Sequence, residues 1–255
     1  MKLKEYNSIP SNDALQEDLA NDGVVICKGA VGGAFLEELN REFAEVFAVE
    51  GRIGVSHMSL NVGSGASLSC SELGEHLPQT REFFTAEWMQ ELSDWYWDGR
   101  ALLNDKIYVM HEVVGTEHIA QELHFDVQKT LKFFLYLNDV TAENGAFSCV
   151  PGSHRLTREV REKLGNEISY DNRHLTREHP YGVEDIVPVE GPAGSLIVFT
   201  TEVWHRAGIV AKGERKVMRG HTRAAKVATE KESKSKEESG GPGLGSRLRG
   251  MLRRN

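Results

Sequence analysis

His124-Phe125-Asp126 sets an imidazole and a carboxylate two residues apart. On an extended strand successive side chains alternate faces, so the two point the same way. A third ligand is available at His205, within Val203-Trp204-His205-Arg206-Ala207-Gly208. Two histidines and one carboxylate hold one face of an octahedral iron(II) and leave the opposite face open to substrate and O2. His124, Asp126 and His205 are therefore the candidate metal ligands and the candidate catalytic set.

A His-x-Asp pair alone is a weak signal. Its placement strengthens it. It precedes an apolar strand, a later histidine closes another strand, and a basic residue opens the next. That basic residue has a use. An iron(II) oxygenase of this kind draws electrons from a cosubstrate, commonly 2-oxoglutarate, whose 1-carboxylate and 2-oxo group chelate the metal. Its 5-carboxylate needs a fixed cation, and the planar fork of arginine suits a carboxylate. Arg215 follows His205 by ten residues, and Arg219 lies four further along the same strand face. Arg215 is the first candidate and Arg219 the alternate.

The elements that must position these residues fall into two parts. Asn12 or Asp13 caps a short helix running through Ala20, and Val24-Val25-Ile26-Cys27 reads as a buried strand. From Gly33 to Phe47, Phe35, Leu36, Leu39, Phe43, Val46 and Phe47 recur at helical spacing, an ordinary core-packing stripe. Arg52 to Ser71, rich in Gly and Ser, reads as a mobile loop near a site mouth. Thr80 to Asn104 reads as helical and carries Trp88, Trp95, Tyr96 and Trp97, a hint of an apolar wall.

From Lys106 the pattern turns to strands: Ile107–Met110, Thr130–Asn138, Ala146–Val150, an edge-like Val187–Val189, Ser195–Phe199 and Arg215–Thr222. In the second of these, Thr130, Lys132, Phe134 and Tyr136 share one face, and Leu131, Phe133, Leu135 and Leu137 share the other. Asn144-Gly145 is a hairpin signal. Arg155 to Tyr181 reads as a polar, irregular excursion. Short strands behind a helical layer predict a mainly β fold, a cupin-like jelly-roll.

Composition narrows the classes. The chain has 255 residues and a net charge of −8. The segment from Thr229 to Asn255 carries seven Lys/Arg against four Glu, so −8 less +3 leaves −11 for the rest. An acidic body is a poor general surface for nucleic acid, and none is expected as a partner. Three scattered cysteines form neither a disulfide framework nor a zinc cluster. No apolar run approaches the ~20 residues of a membrane span, and the first residues lack a signal-peptide core. The expectation is a cytoplasmic protein acting on a small molecule. The charged tail ends in a basic turn that offers a weak possibility of membrane contact.

The chain resembles the phytanoyl-CoA dioxygenase family of Fe(II)/2-oxoglutarate-dependent oxygenases. The resemblance is carried by His124-Phe-Asp126, by Leu137 to Gly145 leading into Pro151-Gly-Ser-His154, by Trp204-His205, and by Arg215-Lys-Val-Met-Arg-Gly-His221. It spans residues 12–222. It implies a double-stranded β-helix in which His124, Asp126 and His205 hold iron and Arg215 holds 2-oxoglutarate, with Phe134 packed beside the cosubstrate. Family members often space the arginine eleven after the second histidine, where this chain has Lys216. Pro151 to His154 is read as a structural turn. The implied activity is a hydroxylase that consumes O2 and releases succinate and CO2; halogenating relatives lack the carboxylate that Asp126 supplies.

The implied organisation is a single oxygenase domain over 1–228, mainly helical over 12–105 with a jelly-roll core over 106–222, followed by a disordered tail over 229–255 with a basic end. Two other readings fit the same residues: a cupin-like metal enzyme that does not use 2-oxoglutarate, and a non-catalytic binding module on the same fold. The substrate and the oligomeric state leave no mark in the sequence.

Overall fold

Short polar caps and buried apolar runs set the first elements of the computed structural model, which describes residues 3–49, 51–73 and 76–225. The expected tail at 229–255 lies outside the described residues. After β1 (Glu5–Tyr6), the Ser11 side chain accepts a hydrogen bond from the Ala14 amide and caps α1 (Asn12–Asn21). The cap is thus one residue earlier than Asn12. β2 (Val24–Cys27) is buried along its whole length, and α2 (Gly33–Ala48) buries Leu39, Phe43 and Val46 on its expected stripe.

The Gly/Ser-rich stretch is not a loop. β3 (Val55–Met58) and β4 (Ser64–Ser69) form an antiparallel hairpin, with Ala66 and Leu68 buried. Two apolar side chains on one face suffice to dock it when the neighbouring strand supplies the rest of the ladder. Thr80 to Asn104 is not one helical stretch either. α3 (Pro78–Phe84) and α4 (Glu87–Tyr96) are followed by a turn at Asp98, φ 51°, and Gly99, φ 147°, which opens β5 (Ala101–Val113). Asp and Gly tolerate positive φ, so this pair breaks the helical path.

The remainder comprises β6 (Leu131–Tyr136), β7 (Ser148–Cys149), α5 (His154–Leu164), β8 (Val187–Pro188), β9 (Leu196–Thr200), β10 (His205–Arg206) and β11 (Glu214–Ala224). α5 occupies the stretch expected to be irregular. It buries only His154 and Thr157, so its sequence lacks the apolar periodicity that announces a helix.

Two sheets result. The larger has the order β1-β2-β9-β6-β11-β5-β4-β3, and the smaller β10-β7-β8. From β6 onward the chain passes between them, which makes the jelly-roll expected. Gly145, at φ 91°, marks one passage: its Cβ-less backbone lies where a side chain would come within 3.0 Å of the Gly208 carbonyl. The flanking strands β6 and β7 do not pair with each other, so the Asn144-Gly145 turn joins two sheets rather than closing a hairpin.

β6 divides the molecule. Leu131, Phe133 and Leu135 face the helical layer in one core cluster, where Trp88 meets Phe133 edge-on at 5.7 Å. Phe134 and Tyr136 belong to a second cluster with Phe147 and Phe199, on the side enclosed by the smaller sheet. The strand's period of two thus separates packing from chemistry.

Candidate metal centre

His124 and His205 face each other across a two-residue bridge. The His124 amide donates to the His205 carbonyl at 3.0 Å, and the His205 amide donates to the His124 carbonyl at 2.7 Å. The expected strand through His124 is therefore a single bridge. The next amides go elsewhere, Phe125 to the Thr176 carbonyl and Asp126 to the Thr201 carbonyl, so no continuous ladder forms. The alternation still holds. Phe125 packs edge-on against Trp204 at 5.0 Å, in a small core cluster of its own. Arg161, from α5, donates to the carbonyls of Asp126 and Val127 and lies over the Phe125 ring. A helix unseen in the sequence thereby pins the segment that carries two candidate ligands.

One ligand atom from each of His124, Asp126 and His205 lies within 4.8 Å of the others. His124 Nδ1 donates to the Glu122 carbonyl and His205 Nδ1 to the Val203 carbonyl, each at 2.7 Å. A carbonyl can only accept, so each ring carries a proton on Nδ1 and directs Nε2 toward Asp126. The Nε2 atoms lie 3.4 and 3.7 Å from Asp126 Oδ1.

Burial, reinforced by His124, pushes the His205 imidazole down to about 3. It is neutral at physiological pH and free to ligate. Burial would raise the Asp126 carboxyl, but the Lys132 ammonium beside it holds it well below the usual carboxylate range. Two imidazole nitrogens and one carboxylate are a donor set that fits a divalent iron.

The triad opens into a cavity of about 400 Å³. Arg215, Arg219 and Phe134 all line it, as does Lys132. Arg215 is 1% exposed. Its Nε and Nη2 donate to Glu112 Oε2 at 2.8 and 2.5 Å, and its Nη1 donates to the Gly145 carbonyl. The other Glu112 oxygen accepts from His118 Nε2 at 2.8 Å. Arg219 stands two inward-facing positions further along β11, opposite Phe134 and Tyr108.

Sequence reasoning missed Lys132 and Glu112. Lys132 Nζ donates to Asp126 Oδ2 at 2.6 Å. It was legible as a lysine on the face of β6 that also carries Phe134. Glu112 left no such signal, because the strand expected at Ile107–Met110 stopped short of it. Trp88, Trp95, Tyr96 and Trp97 do not line the cavity; Trp88 packs in the core and Trp95 is 39% exposed. Met58 and Leu60, at the tip of the β3–β4 hairpin, form part of the wall instead. His154 is buried beside α1, with Nε2 toward the Ala20 carbonyl, and is structural as expected. No helix of the described residues is long and apolar enough to cross a membrane.

The model of the phytanoyl-CoA dioxygenase family matches residues 19–217. No curated protein matches the chain in sequence. Among solved structures, the chain is similar to the non-heme α-ketoglutarate-dependent epimerase SnoN from nogalamycin biosynthesis, at 19% identity and a TM-score of 0.56, covering 84% of this chain and 83% of that one. SnoN has also been solved with Fe3+, α-ketoglutarate and nogalamycin RO. The α-ketoglutarate-dependent carbocyclase SnoK, from the same biosynthesis, is similar at 17% identity and a TM-score of 0.59, with 84% and 83% covered. AviO1 from Streptomyces viridochromogenes Tue57 is similar at 16% identity and a TM-score of 0.54, with 85% and 97% covered. At these identities the likeness is one of fold.

Proposed function

The chain belongs to the phytanoyl-CoA dioxygenase family, and from that premise we propose that it is an Fe(II)/2-oxoglutarate-dependent dioxygenase that hydroxylates a small molecule. Iron and 2-oxoglutarate are the cofactors that membership of the family brings. The observation that carries the reading is the convergence of His124, Asp126 and His205 in the wall of a cavity that a buried arginine also lines. When bound, iron(II) with 2-oxoglutarate and O2 supplies the oxidising chemistry, with succinate and CO2 as co-products.

The protein's own residues do the holding and aiming. The main-chain carbonyls of Glu122 and Val203 fix both imidazoles with Nε2 forward. Arg215 is the residue we assign to the 5-carboxylate of 2-oxoglutarate. Glu112 and Gly145 take three of its N–H donors. A guanidinium has five, so one remains on each terminal nitrogen, the pair that an end-on carboxylate accepts. Glu112 is then a positioning residue that fixes the plane of the fork. Phe134, 7% exposed, gives the cosubstrate an apolar flank. Asp126 supplies the carboxylate ligand, which favours hydroxylation over halogenation.

The test is turnover of 2-oxoglutarate. Supplied with iron(II), 2-oxoglutarate and O2, the protein should form succinate, and His124→Ala, Asp126→Ala and His205→Ala should each abolish it. Metal-dependent turnover of a substrate that ignores 2-oxoglutarate would favour the cupin-like alternative.

A further inference from the structure

Five cationic side chains line the cavity: Lys132, Arg173, Arg177, Arg215 and Arg219. Only two carboxylates, Glu112 and Asp126, line it with them. The chain as a whole carries −8, so its cavity concentrates charge opposite to its own. Apolar walls of low dielectric focus such a field on whatever enters.

Most of these cations have a counter-charge. Arg215 pairs with Glu112, Lys132 with Asp126, and Arg177 with Glu122. Arg173 and Arg219 form no ion pair among the described residues, and Arg219, unlike the exposed Arg173, keeps a buried Nε from which nothing described accepts a hydrogen bond. Its guanidinium lies 5.0 Å from the Tyr108 ring centroid, a contact that orients the cation without neutralising it. His221, next on the same face of β11, also keeps a buried Nε2 without a partner among the described residues. Its ring lies 4.9 Å from the same tyrosine. A buried cation left without a partner is costly, and a ligand that brings the opposite charge recovers that cost.

We propose that Arg219 seats an anionic group of the substrate, and that the substrate is a small organic acid with an apolar body. The walls fit the apolar part: Met58, Leu60, Met110, Phe147 and Phe199 line the same cavity. The proposal rests on the reading above, in which Arg215 takes 2-oxoglutarate. Iron(II) and 2-oxoglutarate bring equal and opposite charge, so loading the centre adds no net charge to the cavity. A carboxylate matches the planar fork of the guanidinium.

The experiment uses the full chain, loaded without oxygen with iron(II) and saturating 2-oxoglutarate. Monocarboxylates from acetate to octanoate, and their primary amides, are titrated in and followed by calorimetry. At least one acid should bind about tenfold or more tightly than its amide, a preference of the size expected for one charge-assisted pair. Arg219→Met should lose that preference with 2-oxoglutarate affinity unchanged, and Arg219→Lys should keep part of it. Acids and amides that bind alike, or no acid that binds, would overturn the proposal, and this arm needs only the wild-type chain. Inorganic phosphate binding more tightly than every acid would overturn the carboxylate assignment. Loss of 2-oxoglutarate binding in Arg219→Met but not in Arg215→Met would make Arg219 the cosubstrate clamp and sink the proposal. Failure of the wild-type chain to bind 2-oxoglutarate with iron present would be a different result, the failure of the underlying reading.

Discussion

His124 and His205 are held by main-chain carbonyls rather than by acidic side chains. Their orientation therefore depends on the backbone at Glu122 and Val203, and no point substitution there should release them. Substitutions at the ligands themselves are predicted to act on metal binding: Asp126→Ala and His205→Ala should lose iron(II), measured by metal content after gel filtration. Arg215→Met should leave iron bound while weakening 2-oxoglutarate by about 30-fold or more, since truncating a buried charged partner costs roughly 2–5 kcal/mol. Glu112 carries a pH dependence. Burial raises its carboxyl, but His118 and Arg215 more than offset this and hold it below its ordinary value. A folded value below the unfolded one, ~4.3, gives stability that is present above that pH and lost as pH falls through the folded value. Thermal unfolding of Glu112→Gln should accordingly be flatter with pH on the acid limb than that of the wild type, and its Tm lower near neutrality. An unchanged acid limb would show that Glu112 and Arg215 are not coupled in the folded protein.

Among the elements, β6 has one face committed to packing and the other to chemistry. Phe133→Ala should cost about 3–5 kcal/mol, the usual range for removing a buried aromatic ring, as read by denaturant unfolding. The β3–β4 hairpin is expected to act on substrate alone. Met58→Ala should change the KM for substrate while iron and 2-oxoglutarate affinities stay as they were, because Met58 lines the cavity from the β3–β4 hairpin, whereas the triad and Arg215 stand on other elements. This is also the scale at which sequence and structure part. Val24–Cys27, Leu131–Tyr136 and Leu196–Thr200 were legible because continuous apolar runs or clean alternation leave no other reading. The β3–β4 hairpin was hidden by its Gly and Ser residues, since its stability comes from β5 beside it. α5 was hidden because it buries two residues, His154 and Thr157. His124 and Asp126 were legible as candidate ligands although the strand expected there is a single bridge, because the alternation of side chains survives without a continuous ladder. Glu112 and the counter-charges inside the cavity were not legible, because pairing across strands depends on register, which a single chain does not display.

The whole molecule joins the candidate ligands from distant points of the chain: His124 and Asp126 precede β6, and His205 arrives on the smaller sheet after β9. A metal that bridges them ties the segment before β6 to the smaller sheet in the folded state only. At about 100 times its dissociation constant, a ligand specific to the folded state adds ~2.7 kcal/mol. In a domain of this size each kcal/mol shifts Tm by roughly 2–4 °C. Anaerobic iron(II) should therefore raise Tm by roughly 5–10 °C, a chelator should reverse the shift, and Asp126→Ala should show none. The central claim, an iron centre that takes 2-oxoglutarate, is tested most directly by absorption spectroscopy without oxygen. 2-Oxoglutarate added to the iron(II)-loaded protein should produce a weak visible charge-transfer band. That band should be absent in His124→Ala and Asp126→Ala and diminished in Arg215→Met. Iron demonstrably bound by the wild type, with no band on addition of 2-oxoglutarate, would contradict the account.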